Sequence, residues 1–153
     1  MNQVRNSAKA IIFRNRKLLT IKYIDAVGEW FSLPGGGQEA GETLIQALKR
    51  ECVEEFGVEV EVGSLRYIRE YIGKNHEFAD HDFDAHQIEH MFICSITEDL
   101  PDVTGFNPDP DQVGIAWLPV EDLTSCRLYP KYLRGLLINE PHLSGPVYLG
   151  DVN

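Results

Sequence analysis

The sequence is short of positive charge. Its 153 residues carry 14 Lys and Arg against 24 Asp and Glu, a formal net charge of −10. Phosphate backbones and anionic membrane surfaces are bound by clustered Lys and Arg, so neither a nucleic-acid nor a membrane partner is expected. Cysteine is scarce as well. Cys52, Cys94 and Cys126 form an odd set with no Cys-x-x-Cys pair. That argues against a disulfide framework or a structural zinc site, and a reducing, cytoplasmic setting is the expectation. No apolar run approaches the length of a membrane span. Met1-Asn2-Gln3-Val4-Arg5 does not lead into the apolar stretch of a secretion signal. Internal repeats, low-complexity tracts and linkers that would split the chain are also missing.

What is present is ordinary for a globular chain. Hydrophobic residues make up 43% and charged residues 25%. A single domain over residues 1–153, with a core of its own, is expected. Ser7 to Phe13 and Lys17 to Tyr23 read as hairpin strands about a turn at Asn15-Arg16. Asp25 to Glu29 is a polar loop, and Trp30 to Leu33 a brief strand ended by Pro34 and a bend at Gly35, Gly36 and Gly37. Thr43 to Phe56 carries Leu44, Ala47, Leu48 and Cys52 at helical spacing, with Gly57 placed to end the helix.

Val58 to Tyr71 is β-rich with an interruption near Gly63-Ser64, Gly73 to Ala85 a polar loop, and Gln87 to Ile96 a strand. Pro101 to Asp111 holds three prolines and a glycine and reads as a second loop. Gln112 to Leu118 is a strand, Val120 to Leu123 a helical turn, and Pro130 to Ile138 a helix with proline first. A short strand at Val147–Leu149 falls in the tail that begins at Glu140. Helices falling between groups of strands predict a mixed sheet sandwiched by helices.

The unusual segment is Gly35–Val58. Glu51, Glu54 and Glu55 stand at i, i+3 and i+4, on one expected helix face. Two carboxylates ~4 Å apart repel by roughly 4 kcal/mol at an effective dielectric of ~20, before solvent screening. A counter-charge is called for. Arg50 is one candidate, and a divalent cation with oxygen ligands is the stronger one. A bound cation would also reconcile an acidic protein with a phosphate-bearing substrate. The glycines before the helix let the backbone approach a ligand closely and offer their carbonyls.

The whole pattern is more specific than its parts. Gly36, five residues, Glu42, seven residues, Arg50-Glu51, an apolar residue, any residue, Glu54-Glu55, any residue, Gly57 and an apolar Val58 follow one another. This resembles the Nudix box, GX5EX7REUXEEXGU, with U a bulky aliphatic residue. Seven fixed identities agree, and at roughly 7% usage each the chance is about one in 10⁸ per window. Cys52 is the one departure, and cysteine packs as a small hydrophobe.

The resemblance implies an α/β/α sandwich with a mixed β-sheet. It also implies hydrolysis of a pyrophosphate bond joining a nucleoside to another group, with Mg²⁺ or Mn²⁺. Glu51, Glu54 and Glu55 would hold the metal, with the Gly35 or Gly36 carbonyl as a further ligand. Arg50 would hold the glutamates, and Glu42 would pair with Arg50 near the substrate. The general base stays open between Glu51 and a glutamate beyond the box, Glu89 or Glu98. Lys22 and Arg69 are candidates for phosphate contact. Tyr23, Phe31, Tyr71 and Phe83 are candidates to stack on a base. His76, His81 and His86, among Asp80, Asp82 and Asp84, suggest a pocket border more than a transition-metal site.

A non-catalytic module keeping the fold would be expected to have lost box glutamates, and none is missing. An isoprenoid-diphosphate isomerase would need a suitably placed catalytic cysteine. The proline of ADP-ribose-cleaving relatives has no counterpart in Arg69–His76, and the proline-rich array of dinucleotide hydrolases is absent. Nucleoside triphosphates, nucleoside-diphosphate sugars and diadenosine polyphosphates stay open as substrates. A homodimer is the family's prior, for which the sequence shows no interface.

Overall fold

The computed structural model describes residues 3–100, 112–139 and 142–153; the loop expected at Pro101–Asp111 lies outside them. Strands β1 (Arg5–Arg14) and β2 (Lys17–Ile24) form the hairpin. Asn15 and Arg16, with φ of 51° and 58°, supply the left-handed pair that matches strand twist. Then follow β3 (Glu29–Ser32), β4 (Gly35–Gly37), α1 (Leu44–Phe56), β5 (Glu61–Ile72), α2 (Ala79–Asp82), β6 (His86–Ser95), β7 (Gln112–Pro119), β8 (Leu128–Tyr129), α3 (Tyr132–Leu137) and β9 (Tyr148–Asp151).

The sheet is mixed. Its order is β8-β3-β2-β1-β6-β5-β9, with β4 also on β1 and β7 also on β2. Strand β1 pairs parallel with β6 from Arg5 to Ile12, and antiparallel with β4 from Ser7 to Lys9. It meets β2 only at its far end, through Phe13 and Arg14. Strand β1 is therefore the hinge line of a curled sheet, and the site forms beside its first half.

Alternation along β1 builds two cores. Ala8, Ala10 and Ile12 face one side with Leu48, Cys52 and Phe56 of α1. Ile11 faces the other, with Tyr67, Met91, and Leu133 and Leu137 of α3. Helices thus cover both faces of the sheet, the expected α/β/α sandwich. Helix α1 opens with a capping box: the Gln46 N–H donates to Thr43 Oγ1 at 3.1 Å, and the Thr43 N–H donates to Gln46 Oε1 at 2.8 Å. Gly57 closes it at φ 75°.

Several expectations need correction. Gly35–Gly37 is a strand on β1, not a free bend. Gly35 must be glycine there, because a Cβ would lie 2.1 Å from the Ala8 carbonyl oxygen at φ +129°. Gly73–Ala85 contains a 3₁₀ turn at Gly73–Asn75 and the short α2. The last helix runs from Tyr132 to Leu137, inside the expected Pro130–Ile138, and Leu128–Tyr129 before it pairs with β3 as β8. Gly63-Ser64 becomes a bulge within β5, because the pairing with β6 slips there and resumes. None of the helices among the described residues is long and apolar enough to cross a membrane.

Candidate active site

Arg50 organises the site. Its Nε donates to Glu42 Oε1 at 2.5 Å and its Nη2 to Glu42 Oε2 at 3.1 Å, a bidentate clamp. Nη2 also donates to the Gly37 carbonyl at 3.0 Å. Nη1 reaches Glu51 Oε1 at 3.0 Å and Glu54 Oε2 at 3.4 Å. One guanidinium thus ties the glycine strand, the loop before α1 and two acids of α1 together. The Arg50 hydrogen bond holds the Glu42 carboxyl below the usual carboxylate range. Glu51 is half-buried, and burial pushes its carboxyl above that range despite Arg50.

The three glutamates do not share one environment. Glu51 and Glu54 are partly exposed beside Arg50, whereas Glu55 is 3% exposed. Its Oε1 accepts the Gly35 N–H at 2.7 Å. The reason is in the spacing: Glu55 follows Cys52 by three and Leu48 by seven, on the buried stripe of α1. Of the three glutamates expected to hold the metal, two therefore point outward beside Arg50, and Glu55 points inward against the Gly35 amide. The Glu51 carboxylate lies against Gly36, where a Cβ would stand 2.5 Å from the Glu51 Cδ.

Among the described residues, no three His, Cys, Asp or Glu side chains converge as a ready metal cage. His76, His81 and His86 thus do not come together as a transition-metal site. His76 lies 2.6 Å from Asp151 and His86 2.9 Å from Glu70, on separate partners. The donor set at α1 still fits a hard cation. Magnesium is commonly held by one or two carboxylates, with water and phosphate completing its shell. Glu51, Glu54 and the Gly35 and Gly36 carbonyls offer oxygen only. The Gly35 carbonyl already attracts a cation, since Lys9 Nζ stands 3.4 Å from it.

Beyond Lys9 a cleft of about 140 Å³ opens between Ser32, Leu33, Arg69, Glu89, Tyr129 and Pro130. Glu89, 7% exposed, accepts from Arg69 Nε at 2.6 Å. Burial pushes its carboxyl up, but the charges of Arg69, Lys9 and Arg5 more than reverse this and hold it below the ordinary range. Arg69, Glu89 and Tyr129 also line a second cavity of about 450 Å³, with Trp30, Tyr71, Phe78, Asp82 and Arg127 among its walls. Trp30 and Phe78 both meet the Tyr129 ring edge-on, at 6.1 and 5.5 Å. Tyr23 stacks behind Trp30 at 4.2 Å.

Of the substrate-contact candidates, Arg69 and Tyr71 line this space. Lys22, Tyr23 and Phe31 line neither cavity. Lys22 pairs with Glu29 at 3.0 Å, and Phe31 is 8% exposed within the core, so its ring has no free face. Phe83 is 61% exposed and Glu98 lies at the far end of β1, where its carbonyl accepts from Arg14. Trp30, Phe78, Tyr129 and Arg127 were not singled out by the sequence. They come from separate elements, and no local spacing marks them.

Residues 4–136 match the NUDIX domain family. The chain belongs to the Nudix hydrolase family. Nudix hydrolases generally use divalent metal ions. The fold is shared with solved Nudix structures. An ADP-ribose pyrophosphatase from Streptococcus suis is 20% identical, with 97% of this chain and 100% of that chain covered at a TM-score of 0.64. A MutT NUDIX hydrolase from Burkholderia pseudomallei is 20% identical, with 92% and 99% covered at 0.66. A UDP-X diphosphatase is 17% identical, with 99% and 68% covered at 0.69. No curated protein sequence matches the chain.

Proposed function

We propose that residues 1–153 form a single Nudix domain that hydrolyses the pyrophosphate bond of a nucleoside diphosphate linked to another moiety, with Mg²⁺ or Mn²⁺. The observation that carries this reading is the seating of Glu51 against Gly36 by Arg50, next to Glu54. Glu51, Glu54 and the Gly35 or Gly36 carbonyl would hold the ion. When bound, the ion neutralises the diphosphate, acidifies water and stabilises the departing phosphate.

This chain's own residues do the rest. Arg50 and Glu42 fix the two carboxylates, and Glu55 fixes Gly35. Glu51 is our choice of general base. Its Oε1 is engaged by Arg50 and, among the described residues, its Oε2 has no hydrogen-bond partner. It takes a proton from water as the water oxygen bonds to phosphorus, and the P–O bond to the leaving phosphate breaks. Glu89, the alternative base, is more deeply buried, at 7% exposed, and its carboxylate is paired with Arg69. The nucleoside end would enter the aromatic cavity at Trp30, Tyr71, Phe78 and Tyr129.

The test is a panel of ADP-ribose, UDP-glucose, diadenosine tetraphosphate and nucleoside triphosphates with Mg²⁺ or Mn²⁺. Release of a nucleotide monophosphate, phosphate or pyrophosphate is followed, and excess EDTA should abolish it. No hydrolysis of any compound overturns the reading.

A further inference from the structure

The substrate proposed above is a polyanion, while the protein carries a net charge of −10. Three cationic side chains line the two cavities that share Arg69, Glu89 and Tyr129 as walls: Lys9, Arg69 and Arg127. Two of them are already engaged. Arg69 donates to Glu89 at 2.6 Å and to the Val152 carbonyl at 2.6 Å. Arg127 is clamped by Asp25 through contacts of 3.1 and 2.9 Å.

Lys9 differs. Among the described residues it makes no ion pair, and its one hydrogen bond is the 3.4 Å contact with the Gly35 carbonyl. An ammonium has three protons to donate, so most of its capacity is unused. It is half-buried, and a charge removed from bulk water in this way ordinarily needs a partner. The backbone fixes its place. Lys9 lies on β1 between Gly35 of β4 and Met91 of β6. On the same face, two residues earlier, the Ser7 hydroxyl is buried with no hydrogen-bond partner. Lys9 lines the same cleft as Arg69 and Glu89.

We propose that Lys9 is a phosphate-binding residue, which holds the substrate's diphosphate between the Arg50–Glu51–Glu54 cluster and the aromatic cavity. The inference rests on the pyrophosphohydrolase reading for the identity of the ligand. Lys9 takes the phosphate role that the sequence suggested for Lys22 and Arg69. Its ammonium leaves a weak, neutral acceptor for a charged one, while the two arginines would have to break short ion pairs to do the same.

The experiment compares wild type, Lys9→Met and Lys9→Arg. Binding of ADP in the presence of Ca²⁺, and of Mn²⁺ alone, is measured by titration calorimetry. Steady-state constants follow on whichever panel compound the wild type cleaves. A charged hydrogen bond to phosphate predicts that Lys9→Met binds ADP about tenfold to a hundredfold more weakly. Mn²⁺ affinity should be equal or higher, because a competing positive charge is gone. KM should rise with the ADP loss, and Lys9→Arg should recover most of the affinity.

ADP affinity of Lys9→Met within about twofold of wild type overturns the proposal, as does a wild type that binds no ADP. Loss of ADP binding in a protein whose wild type hydrolyses nothing overturns the reaction and leaves the assignment of Lys9 standing. Thermal melts check the fold; should Lys9→Met not fold, Lys9→Gln makes the same comparison.

Discussion

The Glu51 carboxylate occupies the space that a side chain at Gly36 would need. A Cβ there would lie 2.7 Å from each Glu51 oxygen. Its φ is not in the left-handed region, so glycine is required for room, not for conformation. Gly36→Ala should therefore keep the fold and displace the carboxylate. A shift of about 1 Å at a reacting group lowers rates by roughly a hundredfold. We expect a drop of that order in kcat, with a thermal midpoint within a few degrees of wild type.

Glu51→Gln and Glu54→Gln should each lower turnover by orders of magnitude at saturating Mg²⁺. Glu55 should behave differently. Its inward carboxylate braces Gly35, so Glu55→Ala leaves a buried donor unpaired and should cost about 1–3 kcal/mol of stability. Denaturant melts beside Mn²⁺ titrations separate the roles. Equal loss of metal binding in all three variants, with unchanged stability for Glu55→Ala, would make Glu55 a third ligand.

The Arg69–Glu89 pair predicts a pH effect with a definite sign. The folded-state pKa of Glu89 lies below its ordinary value of 4.5. Its contribution to stability is complete above that value and is lost as pH falls through the folded one. Glu89→Gln leaves Arg69 buried and uncompensated, which typically costs about 3–5 kcal/mol. Urea melts should show the gap between wild type and variant at pH 7 and its narrowing below about pH 4.5. A gap that widens on acidification would contradict this.

Trp30 should bear on the nucleoside and not on the chemistry. Stacking on a base contributes roughly 1–3 kcal/mol. Trp30→Ala should raise KM about tenfold or more while kcat changes little, and nucleotide should quench indole fluorescence in the wild type but not in Trp30→Ala, which keeps Trp117. Tyr23 stands behind Trp30, so Tyr23→Phe should alter neither constant appreciably.

The parts of this site that lie close together in the chain were legible in the sequence. Arg50, Glu51 and Glu54 are neighbours on α1, and Glu42 is eight residues from Arg50, within reach of its long side chain. The capping box and Gly57 likewise act over a few residues. The burial of Glu55 was not anticipated, because its charge was weighed ahead of its place on the Leu48–Cys52 stripe. Trp30, Phe78 and Tyr129 were not legible, because β3, the segment before α2 and β8 meet only once the sheet has curled. Lys9 was hidden in a strand whose alternation reads as ordinary, and only its register with Gly35 gives it a function.

The bond from the Gly35 N–H to Glu55 has an energetic consequence. It joins the glycine strand to α1 through a buried side chain, so the distance between the loop's carbonyls and the helix's outward acids is set when the chain folds. Ordering those oxygens is therefore a cost of folding, not of capturing an ion. The Gly35 amide should then exchange its hydrogen as slowly in metal-free protein as in metal-loaded protein, and the entropy lost on ion capture should be small.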